Sequence, residues 1–239
     1  MSYLNTKPLI YGFEQGMMKD AVELVIDYPA KIADALIKDE IDIGLIPVAA
    51  IPKLKEYHII SDYCIGADGE VASVCLFSEV PLSEIKTVLL DYQSRTSVAL
   101  VQVLMKEYWK INPVMEKAEN GFSEKIKGTT AAVVIGDRAL AQRKISSYIF
   151  DLGLAWKEYT GLSFVFAAWV SNKPLSDDFI KEFNAANNFG LTHLKEVIAI
   201  HNNGVFSLEE YYSKYIKFTM NEPMRQAIPL FLEKLNLLK

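Results

Sequence analysis

Three hydroxyl residues and one arginine, Ser94-Arg95-Thr96-Ser97, stand where an apolar pattern changes its period. Upstream, Thr87-Val88-Leu89-Leu90 reads as a buried strand ending at Asp91. Downstream, Val98, Val101, Leu104, Met105, Tyr108 and Trp109 recur at helical spacing. At such a handover the first N–H groups of the helix lack partners within it, and the helix dipole favours negative charge. Small hydroxyl side chains there suit a bound anion. They equally suit simple capping, with Ser94 or Thr96 accepting from an amide of the first turn. Asn5-Thr6-Lys7-Pro8, Ile46-Pro47-Val48 and Gly136-Asp137-Arg138 read as junctions of the same kind. A cleft faced by such helix starts would hold a small ligand carrying two carboxylates. Asp137 reads as a helix cap or as a polar group lining that cleft.

Familiar catalytic constellations are missing from the sequence: no GxSxG, HExxH, phosphate-binding loop of the GxxxxGK type, or GxGxxG after a strand. His58, His193 and His201 all fall outside the four junctions. Asp62, Asp68 and Glu70 surround Gly66-Ala67-Asp68-Gly69 without the calcium-loop ligand pattern, so they read as solvated turn residues. Cys64 and Cys75 have no second pair to form a zinc or redox motif and read as buried free thiols. Trp156, Phe164, Phe166 and Trp169 read as core.

The elements that must position these residues alternate between strand and helix, which predicts an α/β fold. Pro29 opens a helix over Lys31–Ile37, and a strand follows at Ile41–Ile46. Pro47 opens a further helical turn, and strands are predicted at His58–Ile60 and Ala72–Phe77. After Thr87–Leu90, a long helix runs from Ser97 to the stop at Asn112-Pro113. Ala131–Ile135 is a buried strand feeding a helix at Arg138–Lys144, and Leu162–Val170 is a long strand. Beyond Pro174 the pattern is helical, broken near Asn202-Asn203-Gly204 and Glu222-Pro223. The expected layout has two lobes, one of residues 1–80 plus 171–239 and the other of 81–170, with a ligand cleft between them.

Composition narrows the partners. The 239 residues are 51% hydrophobic and 23% charged, with a net charge of -5 and only four arginines. That excludes a general nucleic-acid surface. No apolar run is long enough to span a membrane, and Met1–Asn5 lacks the pattern of a secretion signal, so a cytoplasmic location is expected.

Several segments then carry a resemblance, in order: SYLNTKPL at 2–9, EIDIGLIPVAAI at 40–51, DYCIGADGEVASVCLFS at 62–78 and LDYQSRTSVAL at 90–100. VVIGDRAL at 133–140, DLGLAW at 151–156 and TGLSFVFAAWV at 160–170 continue it. The chain resembles the chorismate dehydratases of the futalosine route to menaquinone. The resemblance implies a two-lobed fold like the type II periplasmic binding proteins. It also implies a cofactor-free, metal-free hydro-lyase that converts chorismate, a dianion, to 3-[(1-carboxyvinyl)oxy]benzoate and water. It puts Asn5 beside the reacting ring and Ser73 with it as the catalytic pair. It puts Thr96 and Ser97 on a carboxylate, Pro47 and Val48 on the opposing backbone wall, and Ser94 and Asp137 in the substrate-binding set. Arg95 points away from Thr96 at a helix start, so Ser94 and Arg95 also read as residues that simply begin the helix. No protein base stands out, so the substrate's own side-chain carboxylate is expected to take the proton.

Family members usually carry a strand before the SYLN motif, which here begins at Ser2. The related lyase acting on cyclic dehypoxanthine futalosine has a His-Glu pair where this chain has Gly136-Asp137, which favours the dehydratase. A non-catalytic carboxylate-binding protein of the same fold is the other reading. The effector-binding part of a transcription regulator is remote, for want of a helix-turn-helix segment.

Overall fold

A computed structural model of the chain describes residues 3–238; Met1, Ser2 and Lys239, and with them the first residue of the SYLN motif, lie outside the described residues. The strands, in chain order, are β1 (Ile43–Pro47), β2 (His58–Ala67), β3 (Val74–Ser78), β4 (Thr87–Leu90), β5 (Val114–Lys117), β6 (Thr130–Ile135), β7 (Tyr148–Asp151), β8 (Phe164–Ser171) and β9 (Lys217–Thr219). The helices are α1 (Lys7–Glu14), α2 (Pro29–Ile37), α3 (Thr96–Val103), α4 (Gly136–Gln142), α5 (Leu152–Thr160), α6 (Asp177–Thr192), α7 (Leu194–His201), α8 (Leu208–Glu210) and α9 (Glu222–Asn236).

The chain divides into two compact units, residues 1–66 with 165–221 and residues 67–164 with 222–239. This corrects the boundaries expected from sequence in three ways. The first crossing falls at Gly66-Ala67, so β3 and Ser73 belong to the second unit. The return falls at Phe164-Val165, so most of β8 belongs to the first. A third crossing at Asn221-Glu222 carries α9 into the second unit, where Phe231 packs edge-on against Trp156 and Phe164.

The first unit is built on a sheet of order β1-β8-β2-β9. β1 and β8 pair antiparallel, Ile43 opposite Ser171 and Pro47 opposite Ala167. Pro29 is the first residue of α2, as its fixed φ favours, and α2 packs on β1. Helices α1 and α6 touch closely because Gly190 has no side chain: a Cβ there would run into the Pro8 carbonyl oxygen. β9 was hidden from the sequence reading, since three residues within a helical pattern carry no usable period.

The second unit holds a sheet of order β5-β4-β6-β3-β7. Both faces of its central strands are buried, as the continuous apolar runs in β3 and β6 require. On one face Cys75, Phe77, Leu89, Ala132 and Val134 pack with Phe122 and with Ala139 of α4. The intervening residues, Leu76, Val88 and Val133, serve the opposite face, and α3 packs with both α5 and α9. The expected long helix is α-helical only through Val103; a π-helical stretch at Leu104–Trp109 ends it, with Lys110 left-handed.

Candidate active site

In the second unit β4 and β6 are neighbours and parallel, so their carboxyl ends share one edge of the sheet. From β4 the chain crosses through α3 to β5 on one side; from β6 it crosses through α4 toward β7 on the other. Both crossovers are right-handed by the general rule, so α3 and α4 lie on opposite faces. The two helix starts then flank a crevice outside the ends of β4 and β6, the topological switch point where open α/β sheets take ligands. β3 runs antiparallel to β6 with Val74 opposite Ile135, which brings Ser73 to the same edge. Ser73, the 94–97 turn and Gly136-Asp137 therefore share one edge of this sheet.

The turn after β4 is clamped by Asp91, whose side chain is fully buried. Its carboxylate accepts from the Gln93 N–H at 3.0 Å, the Ile135 N–H at 3.2 Å and Arg138 Nη2 at 2.9 and 2.8 Å. Arg138 also donates to Gln93 Oε1 and lies over the Tyr92 and Phe122 rings. Burial pushes the Asp91 carboxyl above its usual range, against the pull of Arg138. Thr96 and Ser97 open α3 and are buried, 2% and 3% exposed. Ser94 Oγ accepts from the Ser97 N–H at 3.1 Å. Ser94 therefore caps the start of α3, one of its two readings from sequence, and the Ser97 amide is engaged by that cap.

Ser73 is fully buried and held from both sides of its peptide. Its N–H donates to the Val71 carbonyl at 2.7 Å, and its carbonyl accepts from the Gly136 N–H at 2.8 Å. Gly136 has φ +63°, where a side chain is strained, so glycine is needed to turn straight from β6 into α4. The Val71–Ser73 bond spans one residue, Ala72, whose φ is +62°. This is a γ-turn of the rare positive-φ kind, a strained conformation costing about 1 to 3 kcal/mol. Asp151 holds it: its carboxylate accepts from the N–H groups of Ala72 at 2.8 Å and Val71 at 3.1 Å, and also from Gly153 and Leu154 at the start of α5. Arg143 Nη1 donates to the Ala72 carbonyl, and Cys75 Sγ approaches the same oxygen. Burial, then the nearby Asp151 charge, push the Cys75 thiol far up, which keeps it inert. Cys64 is likewise buried and free.

Asp137 is the second residue of α4, and Ile135 occupies the cap position without a side-chain cap bond, so the capping reading of Asp137 is corrected. The first-unit candidates lie on separate elements. Asn5 sits in a 3-10 turn at Leu4–Thr6 leading into α1, with its Oδ1 accepting from the Thr6 hydroxyl at 3.3 Å. The described residues just before it form no strand, contrary to the strand-to-helix reading of 5–8. Tyr212 fixes this turn by donating to the Leu4 carbonyl at 2.8 Å. Pro47 ends β1, and Val48, fully buried, begins a 3-10 turn.

Sequence reasoning passed over Asp91, Arg138, Arg143 and Asp151 as site builders. Asp151-Leu152-Gly153 carried a readable signal, an acidic residue one step before a helix. Its second duty to Ala72, 79 positions away, leaves no trace in the sequence. Among the described residues no three His, Cys, Asp or Glu side chains are grouped to hold a metal ion, and no helix is long and apolar enough to cross a membrane.

Residues 1–236 match the protein family described as menaquinone biosynthesis. A chorismate dehydratase of Thermus thermophilus is 28% identical, over 87% of this chain and 85% of that protein. Among solved structures, a protein of Archaeoglobus fulgidus superposes with a TM-score of 0.76 at 16% identity, covering 98% of this chain and 94% of its own. The periplasmic aliphatic sulphonate binding protein of Escherichia coli superposes with a TM-score of 0.61 at 12% identity, covering 98% and 83%. The second likeness shows a fold like that of the periplasmic binding proteins.

Proposed function

The chain belongs to the menaquinone biosynthesis family, and from that premise we propose that it is a chorismate dehydratase, a cytoplasmic lyase working without a cofactor. The observation that carries the site assignment is the switch point of the second unit, where buried Ser73, Thr96 and Ser97 meet at the carboxyl edge of β4 and β6. Chorismate brings two carboxylates, and hydroxyl donors beside the start of α3 suit one of them.

In the proposed reaction the C3–H and C4–O bonds break and a double bond forms between C3 and C4, completing a benzene ring. Aromatisation supplies the driving force, so the protein's task is to orient the substrate and assist proton movement. Thr96 and Ser97 hold a carboxylate through their hydroxyls, and Asp137 lines the same edge. Ser73 stands at that edge as a hydroxyl able to hydrogen-bond the departing C4 oxygen. From the first unit the proposal takes the Asn5 amide as a hydrogen-bonding partner of the substrate, with Pro47 and Val48 as backbone wall. The substrate's enolpyruvyl carboxylate receives the C3 proton and passes it to the departing C4 hydroxyl, which leaves as water, so the carboxylate ends ionised as it began.

The test is incubation with chorismate, followed by ultraviolet absorbance and mass. Conversion to an aromatic product lighter by one water supports the proposal. Chorismate that binds and is recovered unchanged overturns it in favour of a binding protein.

A further inference from the structure

We infer that Asp151 is a positioning residue for the reaction: its buried carboxylate holds the strained turn at Ala72 and thereby sets the placement of Ser73. This rests on the reading of Ser73 as a reacting-site residue.

Asp151 closes β7 and is only 8% exposed. A cap needs only the Gly153 and Leu154 amides, at 3.0 and 3.2 Å. This carboxylate also takes the Val71 N–H, at 3.1 Å from each oxygen, and the Ala72 N–H at 2.8 Å. Two successive amides of a γ-turn thus converge on one side chain from another strand. The turn's remaining polar group, the Ala72 carbonyl, meets Arg143 Nη1 at 3.5 Å, and that same nitrogen lies 4.0 Å from Asp151 Oδ2. Alanine does not favour φ +62° by itself. Surroundings that over-determine the turn are what keep it there, and such conformations cluster at working sites. Ser73 follows immediately, with its own N–H closing the turn and its carbonyl fixed by Gly136. Asp151 touches no reacting atom in this scheme; it acts through the backbone.

The mechanism gives a specific suppressor. Glycine adopts positive φ without strain. In Asp151→Asn the turn loses a two-oxygen acceptor, and kcat for chorismate is expected to fall about tenfold to a hundredfold with KM changed less than about threefold, as for a displaced catalytic group. Adding Ala72→Gly to that variant is expected to restore most of kcat, because the turn no longer needs holding. A residue that merely caps α5 would show no such rescue. Arg143→Met, which leaves the hydrogen bonds from all four amides to Asp151 intact, keeps the inference testable should Asp151→Asn fold poorly; it should lower kcat by a smaller factor, again rescued by Ala72→Gly. Unchanged kcat in both single variants, or loss that Ala72→Gly does not relieve, overturns the inference. A wild-type protein that does not convert chorismate overturns the functional reading instead. Recovery of the Asp151→Asn melting temperature by Ala72→Gly then decides whether the carboxylate holds the turn.

Discussion

Arg138 lies with Nη2 2.8 Å from Oδ2 of Asp91, joining the first turn of α4 to the turn that precedes α3. The pair fixes the two sides of the switch-point crevice to each other. The Asp91 side chain is fully buried and that of Arg138 is 31% exposed. Removing the guanidinium leaves a buried carboxylate with two backbone donors. Arg138→Ala is expected to cost about 2 to 3 kcal/mol, below the range for fully buried pairs because Arg138 reaches water.

The same pair has a pH signature. Burial sets the Asp91 pKa in the folded chain above its unfolded value, with Arg138 opposing. A carboxyl raised in this way gives its full stability below the unfolded pKa and loses it as pH rises through the folded pKa. Without Arg138 the folded value climbs further. The destabilisation by Arg138→Ala is therefore largest near neutral pH and shrinks toward pH 4. Urea unfolding of both proteins across that range measures it, and a pH-independent difference contradicts it.

Gly136 turns β6 into α4 at φ +63° while its N–H holds the Ser73 carbonyl. Gly136→Ala places a side chain in the left-handed region at a cost of about 1 to 2 kcal/mol. If α4 shifts to relieve it, the Ser73 bond lengthens. Both stability and kcat should fall, with kcat falling more than in a surface substitution of equal destabilisation, as read from calorimetry and turnover together.

The layout of the site was legible where one segment carries both strand and helix signals. Thr87–Leu90 followed by Ser94–Ser97, and Ala131–Ile135 followed by Gly136, needed only local periodicity. The order of strands was not legible, because insertion of β3 between β6 and β7 is a tertiary choice among apolar runs of similar composition. β5 and β7 escaped for the same reason as β9, being three or four residues long at sheet edges. Ala72 illustrates the remaining gap: alanine announces no turn, and its backbone is imposed by Asp151 from across the sheet. The family resemblance supplied Asn5 and Ser73, which composition alone would have passed over.

The C-terminal helix is tied to the second unit by a polar cluster. Lys234 Nζ meets Glu107 Oε2 at 2.7 Å and Tyr159 OH at 2.8 Å, and Tyr159 donates to the same carboxylate at 2.6 Å. Hydrogen bonds from Lys234 and then Tyr159 hold the Glu107 carboxyl below its ordinary range. A depressed carboxyl gives stability that is present above its unfolded pKa and lost as pH falls through the folded one. Glu107→Gln should cost about 1 kcal/mol at pH 7 and progressively less on acidification below pH 4.5. Melting curves from pH 7 to 3 test it, with an unchanged gap as the contrary result.

Ser94 and Thr96 stand two residues apart and separate capping from ligand binding. Ser94 Oγ is the acceptor for the Ser97 N–H, so Ser94→Ala removes a helix cap and should cost about 1 kcal/mol of stability. Turnover per folded molecule should change little, since the Ser97 hydroxyl stays in place. Thr96 is buried at the start of α3, and the proposed function puts its hydroxyl on a substrate carboxylate. A hydrogen bond to a charged group is worth about 1.5 to 3 kcal/mol, so Thr96→Val should raise KM about tenfold or more. Interactions of that kind persist from bound substrate to transition state, which leaves kcat nearly untouched. If Ser94→Ala raises KM as much as Thr96→Val does, the ligand is held by the order of the helix start as a whole, and the assignment of the carboxylate to the Thr96 hydroxyl fails.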